Sequence, residues 1–214
     1  LTPAALEERL ARDFDADAQK LLATPNDHPR LRPYQIEANE AIEKAVADRK
    51  RKILVAMATG CGKTFTTVNE VYRLMKSGVA RRVLFLVDRR ALAAQAVRAF
   101  ASFEPEPGLK FDKIYEVFSQ RFQKEDFEED GKEERFDPSV LPSDYLLAPN
   151  AGHAFVYVCT IQRMAINLLG RAAAFEEGDE ERDGDADKLD IPIHAFDCIV
   201  ADECHRGYTS SELS

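Results

Sequence analysis

Residues 52–56, K-I-L-V-A, form a short apolar run that leads straight into M-A-T-G-C-G-K-T at 57–64. Residues 65–75 then carry apolar side chains at helical spacing. A strand, a glycine turn and a helix in direct succession leave few folds open, because the turn must lay the helix back on the sheet that holds the strand. Gly60 and Gly62 let the backbone turn so that its N–H groups face an anion, and the positive end of the helix adds to the attraction. Lys63 is then placed to reach β- and γ-phosphates and the Thr64 hydroxyl to ligate Mg²⁺, with Thr59 and Cys61 completing the loop. Met57 stands where the general pattern has its first glycine. The plainer alternative is an ordinary strand–turn–helix connection with a surface lysine. The spacing favours a nucleoside triphosphate site.

The rest of the chain repeats the alternation. Residues 3–22 read as a helix with Leu6, Leu10, Phe14, Leu21 and Leu22 as its buried stripe, and 23–29, A-T-P-N-D-H-P, as a linker. A helix from Pro33 to about Asp48 has a partial core face of Ile36, Ile42 and Val46. The helix after the glycine turn runs to about Lys76, where Ser77-Gly78 ends it. Strands are expected at 82–88, 113–118, 154–159 and 196–201, and helices at 89–103 and 161–175. Residues 119–150 are polar, contain three prolines and read as an insertion. The pattern predicts an α/β fold, a three-layer arrangement with a mainly parallel sheet and helices on both faces.

The 214 residues carry a net charge of −9, unevenly spread: residues 1–103 hold +6 and residues 104–214 hold −15. Blocks at 125–134 and 176–187 hold most of the acid of residues 104–214 and read as solvated loops. The basic first half stays compatible with a phosphate-facing surface. No apolar run has membrane-helix length, and no signal-peptide pattern opens the chain. Cys61, Cys159, Cys198 and Cys204 lack zinc spacing, so reduced thiols in the cytoplasm are expected. The first residue is Leu1, which suggests a piece of a longer protein.

The last predicted strand, F-D-C-I-V-A, runs into Asp202-Glu203-Cys204-His205. Acidic residues at the carboxyl end of a buried parallel strand lie on the sheet edge where ligands bind. Asp202 there is suited to hold Mg²⁺ and Glu203 to orient and deprotonate an attacking water. The alternative is an exposed turn with Asp-Glu by chance. His205 is open to three readings: a link to neighbouring motifs, a core histidine or a metal ligand. His28, His153 and His194 show no partner pattern.

In order, L-R-P-Y-Q at 31–35, the glycine loop, L-F-L-V-D-R-R-A-L at 84–92, Y-V-C-T-I-Q-R-M at 157–164 and D-E-C-H-R-G-Y at 202–208 resemble the first RecA-like domain of superfamily 2 helicases and translocases of the DExH type. The wording is most similar to the motor (R) subunit of type I restriction enzymes.

That resemblance implies ATP and Mg²⁺ as cofactors. It implies further that Gln35, with Arg32, reads the adenine edge. Arg89 and Arg90, and Thr160, Gln162 and Arg163, are implied as contacts to duplex DNA phosphates, and His205 as a coupling residue between motifs. Residues 1–30 would be a helical linker from an upstream domain, and 31–214 an incomplete N-terminal lobe. Its expected partners are a second RecA-like lobe in cis and the methyltransferase and specificity subunits. Without the second lobe's arginine finger, little ATP hydrolysis is expected from this piece. A repair or RNA-remodelling helicase and a non-motor nucleotide switch remain the alternatives.

Overall fold

The structure, a computed structural model, describes residues 3–122, 138–150, 152–171 and 186–203. The chain forms two compact units. One holds the described residues of 2–81 and 99–114 and is helical. The other holds those of 82–98 and 115–203 and is built on the sheet.

In the helical unit the single helix expected at 3–22 is two, α1 (Pro3–Leu10) and α2 (Phe14–Ala23). Asp13 separates them: its carboxylate accepts the Ala16 N–H at 3.0 Å and caps α2. Of the expected apolar stripe only Leu21 is buried, together with Ala18; Phe14 is half-buried, and Leu6, Leu10 and Leu22 are exposed. α3 (Pro33–Ala47) departs further from expectation. Ile36, Ile42 and Val46 are only half-buried, whereas Gln35, Asn39 and Glu43 are buried. Those three are four residues apart and share one face.

α4 (Lys63–Ser77) is the most buried helix, bounded by Gly62 and Gly78, both with left-handed backbone. Polar residues Asn69, Glu70 and Arg73 are buried along with its apolar ones. Arg73 ties the unit together. Its Nε donates to Glu43 Oε1 at 2.5 Å, and its Nη atoms donate to the Pro25 and Thr24 carbonyls at 2.6 and 2.7 Å. The expected linker at 23–29 is therefore held by a guanidinium. Burial raises the Glu43 pKa, although Arg73 pulls it down.

Residues 52–56 correct the expectation of a buried strand. They form no strand, and Ile53, Leu54 and Val55 are exposed, Leu54 by 84%. A strand exists only with a partner's ladder, and β-character in the side chains does not supply one.

The sheet unit contains β1 (Arg82–Val87), β2 (Glu116–Ser119), β3 (Ser139–Val140), β4 (Phe155–Thr160) and β5 (Cys198–Ala201), in the order β3-β2-β4-β1-β5. Every pairing is parallel. Parallel neighbours require crossovers. α5 (Arg90–Ser102) follows β1, α6 (Ser143–Leu147) follows β3 and α7 (Ile161–Leu169) follows β4. Gly170 ends α7 short of the expected 175, and residues 172–175 lie outside the described part.

The alternation of β4 puts Phe155, Tyr157 and Cys159 on one face, packed with Leu84, Phe118, Leu141, Leu146 and Met164. Val156 and Val158 on the opposite face are equally buried, as a doubly covered parallel sheet demands. Leu141 and Leu146 come from the region read as an insertion, so its described part contributes to the core. β5 is one of the two edge strands of the sheet among the described residues and exposes Ile199.

Candidate functional site

The glycine loop belongs to the helical unit. Ala58 O accepts the Cys61 N–H at 3.4 Å and the Cys61 thiol at 2.7 Å, closing a turn around Thr59 and Gly60. Gly60 and Gly62 have φ of +77° and +84°, which only glycine adopts without strain. Gly62 O accepts both the N–H and the hydroxyl of Thr66 at 3.0 Å, so α4 is hydrogen-bonded from its first turn. The amides ahead of Thr66 have no acceptor within the helix. These amides make a donor-rich end, and Lys63 and Thr64 are the first two residues of the helix that carries it.

Gln35 is the loop's clasp. Its Nε2 donates to Cys61 O at 3.1 Å and to Gly62 O at 3.3 Å, while Oε1 accepts the Arg32 N–H at 2.9 Å. With 3% exposure and both ends of the amide engaged by backbone, Gln35 does not present the free donor–acceptor pair that adenine reading requires. In this arrangement the Gln35 amide holds the loop. Tyr34, which the sequence did not single out, joins it: its hydroxyl donates to Cys61 O at 2.9 Å and accepts from Arg32 Nη1 at 3.2 Å. Its position next to Gln35 in L-R-P-Y-Q was the available signal. Arg32 is exposed.

The acid pair belongs to the sheet unit. β1 faces β4 with Val87 opposite Thr160, and faces β5 with Leu86 opposite Ala201. Asp88, Thr160 and Asp202 therefore leave their strands at one carboxyl edge. The Asp202 N–H donates to Leu86 O at 2.9 Å, which extends the ladder by one residue. The Glu203 N–H then donates to Asp202 Oδ1 at 3.0 Å, and Glu203 takes φ +53°. The turn is thus closed by the aspartate itself, and both carboxylates are half-buried. Cys204 and His205 lie outside the described residues.

On the same edge Arg89 is 69% exposed, with its Nε 3.7 Å from Asp88 Oδ2. Arg90 donates to Arg121 O at 2.6 Å. Gln162 is half-buried. Thr160 and Arg163 are buried, at 1% and 8% exposure, and the Thr160 hydroxyl caps α7 by accepting the Arg163 N–H at 3.1 Å. Thr160 thus organises the start of α7. Among the described residues Cys61, Cys159 and Cys198 form no disulfide. Among the described residues no cluster of His, Cys, Asp and Glu has metal-site form, and no helix is long and apolar enough to cross a membrane.

A phosphate-type loop on a helix start and an acid pair on the carboxyl edge of a parallel sheet mark the P-loop class of α/β proteins, and within it the helicase-like ATP-binding domains. Comparison with known proteins narrows the class. Over residues 28–213 the chain matches the family described as "Type III restriction enzyme, res subunit", and it belongs to that family. It is 33% identical over 178 residues to the EcoKI type I restriction enzyme endonuclease subunit of Escherichia coli K12, covering 83% of this chain and 12% of that protein. The Escherichia coli EcoAI endonuclease subunit is 34% identical over 43% of the chain. UvrABC system protein B of Leptospira biflexa is 35% identical over 40%. The chain spans about 12% of the length of each of these relatives. No solved structure matches it.

Proposed function

We propose that this chain is the ATP-binding lobe of the motor subunit of a type I restriction endonuclease, and that ATP hydrolysis there drives translocation along duplex DNA before cleavage. The observation that supports this most directly is the clasped glycine loop at the start of α4. In this reading Lys63 and the loop amides hold the β- and γ-phosphates, while Gln35 and Tyr34 keep the loop in shape. The hard oxygen donors of Thr64 and Asp202 would hold Mg²⁺, which would supply charge neutralisation for the phosphates. Glu203 accepts the proton of the attacking water.

Residues 1–30 serve as the helical linker and 31–214 as the lobe, working with a second RecA-like lobe, with methyltransferase and specificity subunits, and in the cytoplasm, where free thiols are stable. Arg89, Arg90 and Gln162 are the side chains exposed enough at the sheet edge to meet DNA phosphates. A repair motor is the second reading, favoured by the UvrABC system protein B similarity. The restriction subunit is preferred because that similarity covers 40% of the chain against 83%.

In the protein carrying this chain, Glu203→Gln should bind ATP and lose DNA-stimulated hydrolysis by about two orders of magnitude or more. Undiminished turnover would remove Glu203 from its role.

A further inference from the structure

Gln120 follows the last residue of β2. Its backbone N–H donates to Val158 O at 3.2 Å, and its own carbonyl accepts the Ser119 hydroxyl at 2.9 Å. The side chain is 1% exposed and points all its accepting capacity at one residue of the adjacent strand. Oε1 accepts the Thr160 N–H at 2.8 Å and the Thr160 hydroxyl at 3.2 Å. That hydroxyl is the group that caps α7 through the Arg163 N–H. The next residue, Arg121, gives its carbonyl to Arg90, the first residue of α5. The dipeptide Gln120-Arg121 therefore touches the beginnings of both α5 and α7.

The Nε2 of Gln120 is buried and has no hydrogen-bond partner among the described residues. A residue retained for packing alone would not carry a buried donor without an acceptor, since that is a net cost. The acceptor end of the amide is what the position uses.

We infer that Gln120 is a positioning residue for DNA contact: it fixes Thr160, and through it the start of α7, relative to the arginines that open α5. The inference rests on the proposal that this sheet edge meets DNA. Gln162, half-buried beside Thr160, is the side chain whose placement depends on it.

The test titrates duplex DNA against ATP hydrolysis in the full-length protein for wild type, Gln120→Leu and Gln120→Glu. Leucine keeps volume without an acceptor; glutamate keeps the oxygen that Thr160 donates to. The expected result is a half-saturating DNA concentration raised about tenfold by leucine, with a smaller change in the rate at saturating DNA, and near wild-type behaviour with glutamate. Thr160→Val deletes the hydroxyl from the other side of the bond and should shift the DNA titration in the same direction, which guards against a leucine variant that does not fold. The inference is overturned if leucine and valine variants titrate as wild type, or if leucine and glutamate lower DNA response and thermal midpoint equally. Absence of DNA stimulation in the wild type would refute the DNA reading itself.

Discussion

Arg82 and Asp197 hold the starts of β1 and β5 in register. The Arg82 N–H donates to Asp197 Oδ2 at 3.1 Å, the Asp197 N–H donates to Arg82 O at 2.9 Å, and Arg82 Nη2 lies 3.8 Å from Asp197 Oδ1. Both side chains are almost fully buried. Arg82 also donates to the Asn150 and His194 carbonyls. Because β5 delivers Asp202 and Glu203, this pair sets where the acidic residues emerge.

Asp197→Ala should therefore lower the unfolding free energy by about 3–5 kcal/mol, since it strands a buried guanidinium without its counter-charge. Denaturant titration measures it. A loss below about 1 kcal/mol would show the ion pair to be dispensable.

The loop clasp predicts a graded pair of effects on nucleotide affinity. Gln35→Ala, which removes the donors to Cys61 and Gly62, should raise the dissociation constant of a fluorescent ATP analogue about tenfold. Gly62→Ala should be more damaging, because φ is +84° and an added Cβ would sit 2.7 Å from Gln35 Nε2. Equal affinity in all three proteins would separate the clasp from nucleotide binding.

Glu70 gives a pH signature. Its carboxyl pKa is raised well above the ordinary 4.5, first by burial and then by the charge of Glu43, with Arg73 opposing. Above that ordinary value the unfolded chain ionises while the folded chain keeps the proton, so stability falls as pH rises towards the folded pKa. The thermal midpoint of Glu70→Gln should match wild type near about pH 4 and exceed it increasingly towards neutrality. A difference independent of pH would assign the effect to packing.

Arg73→Met should destabilise the helical unit by about 3–5 kcal/mol, because it leaves Glu43 buried and the Thr24 and Pro25 carbonyls without their donor. Hydrogen exchange would show the segment around Thr24 opening first. Unchanged protection there would contradict the tie.

The elements that could be read from the chain are those whose side chains announce burial by themselves. β1 and β4 are apolar at nearly every position, and α4 is framed by glycines whose left-handed backbone the structure retains. Residues 52–56 carry the same kind of signal, yet pairing is a property of two segments, and side-chain character reports only one of them. α3 misled for the opposite reason: hydrophobic periodicity assumes that what is buried is apolar, whereas its inner face is Gln35, Asn39 and Glu43. In the candidate site, the loop and the acid pair were legible as motifs with a fixed chemical grammar. The clasp by Tyr34, the burial of Thr160 and Arg163, and the bridge through Gln120 are contacts between segments distant in sequence, and no local pattern encodes them.

The polar inner face of α3 has a mechanical consequence. An oily seam between helices tolerates sliding, but one built on Glu43 and Arg73 resists it, because a shift of one turn would break their ion pair. Eight residues, about 12 Å of helix, separate Glu43 from Gln35. Any displacement of the glycine loop is thus delivered by α3, acting as a stiff rod, to the guanidinium that grips Thr24 and Pro25.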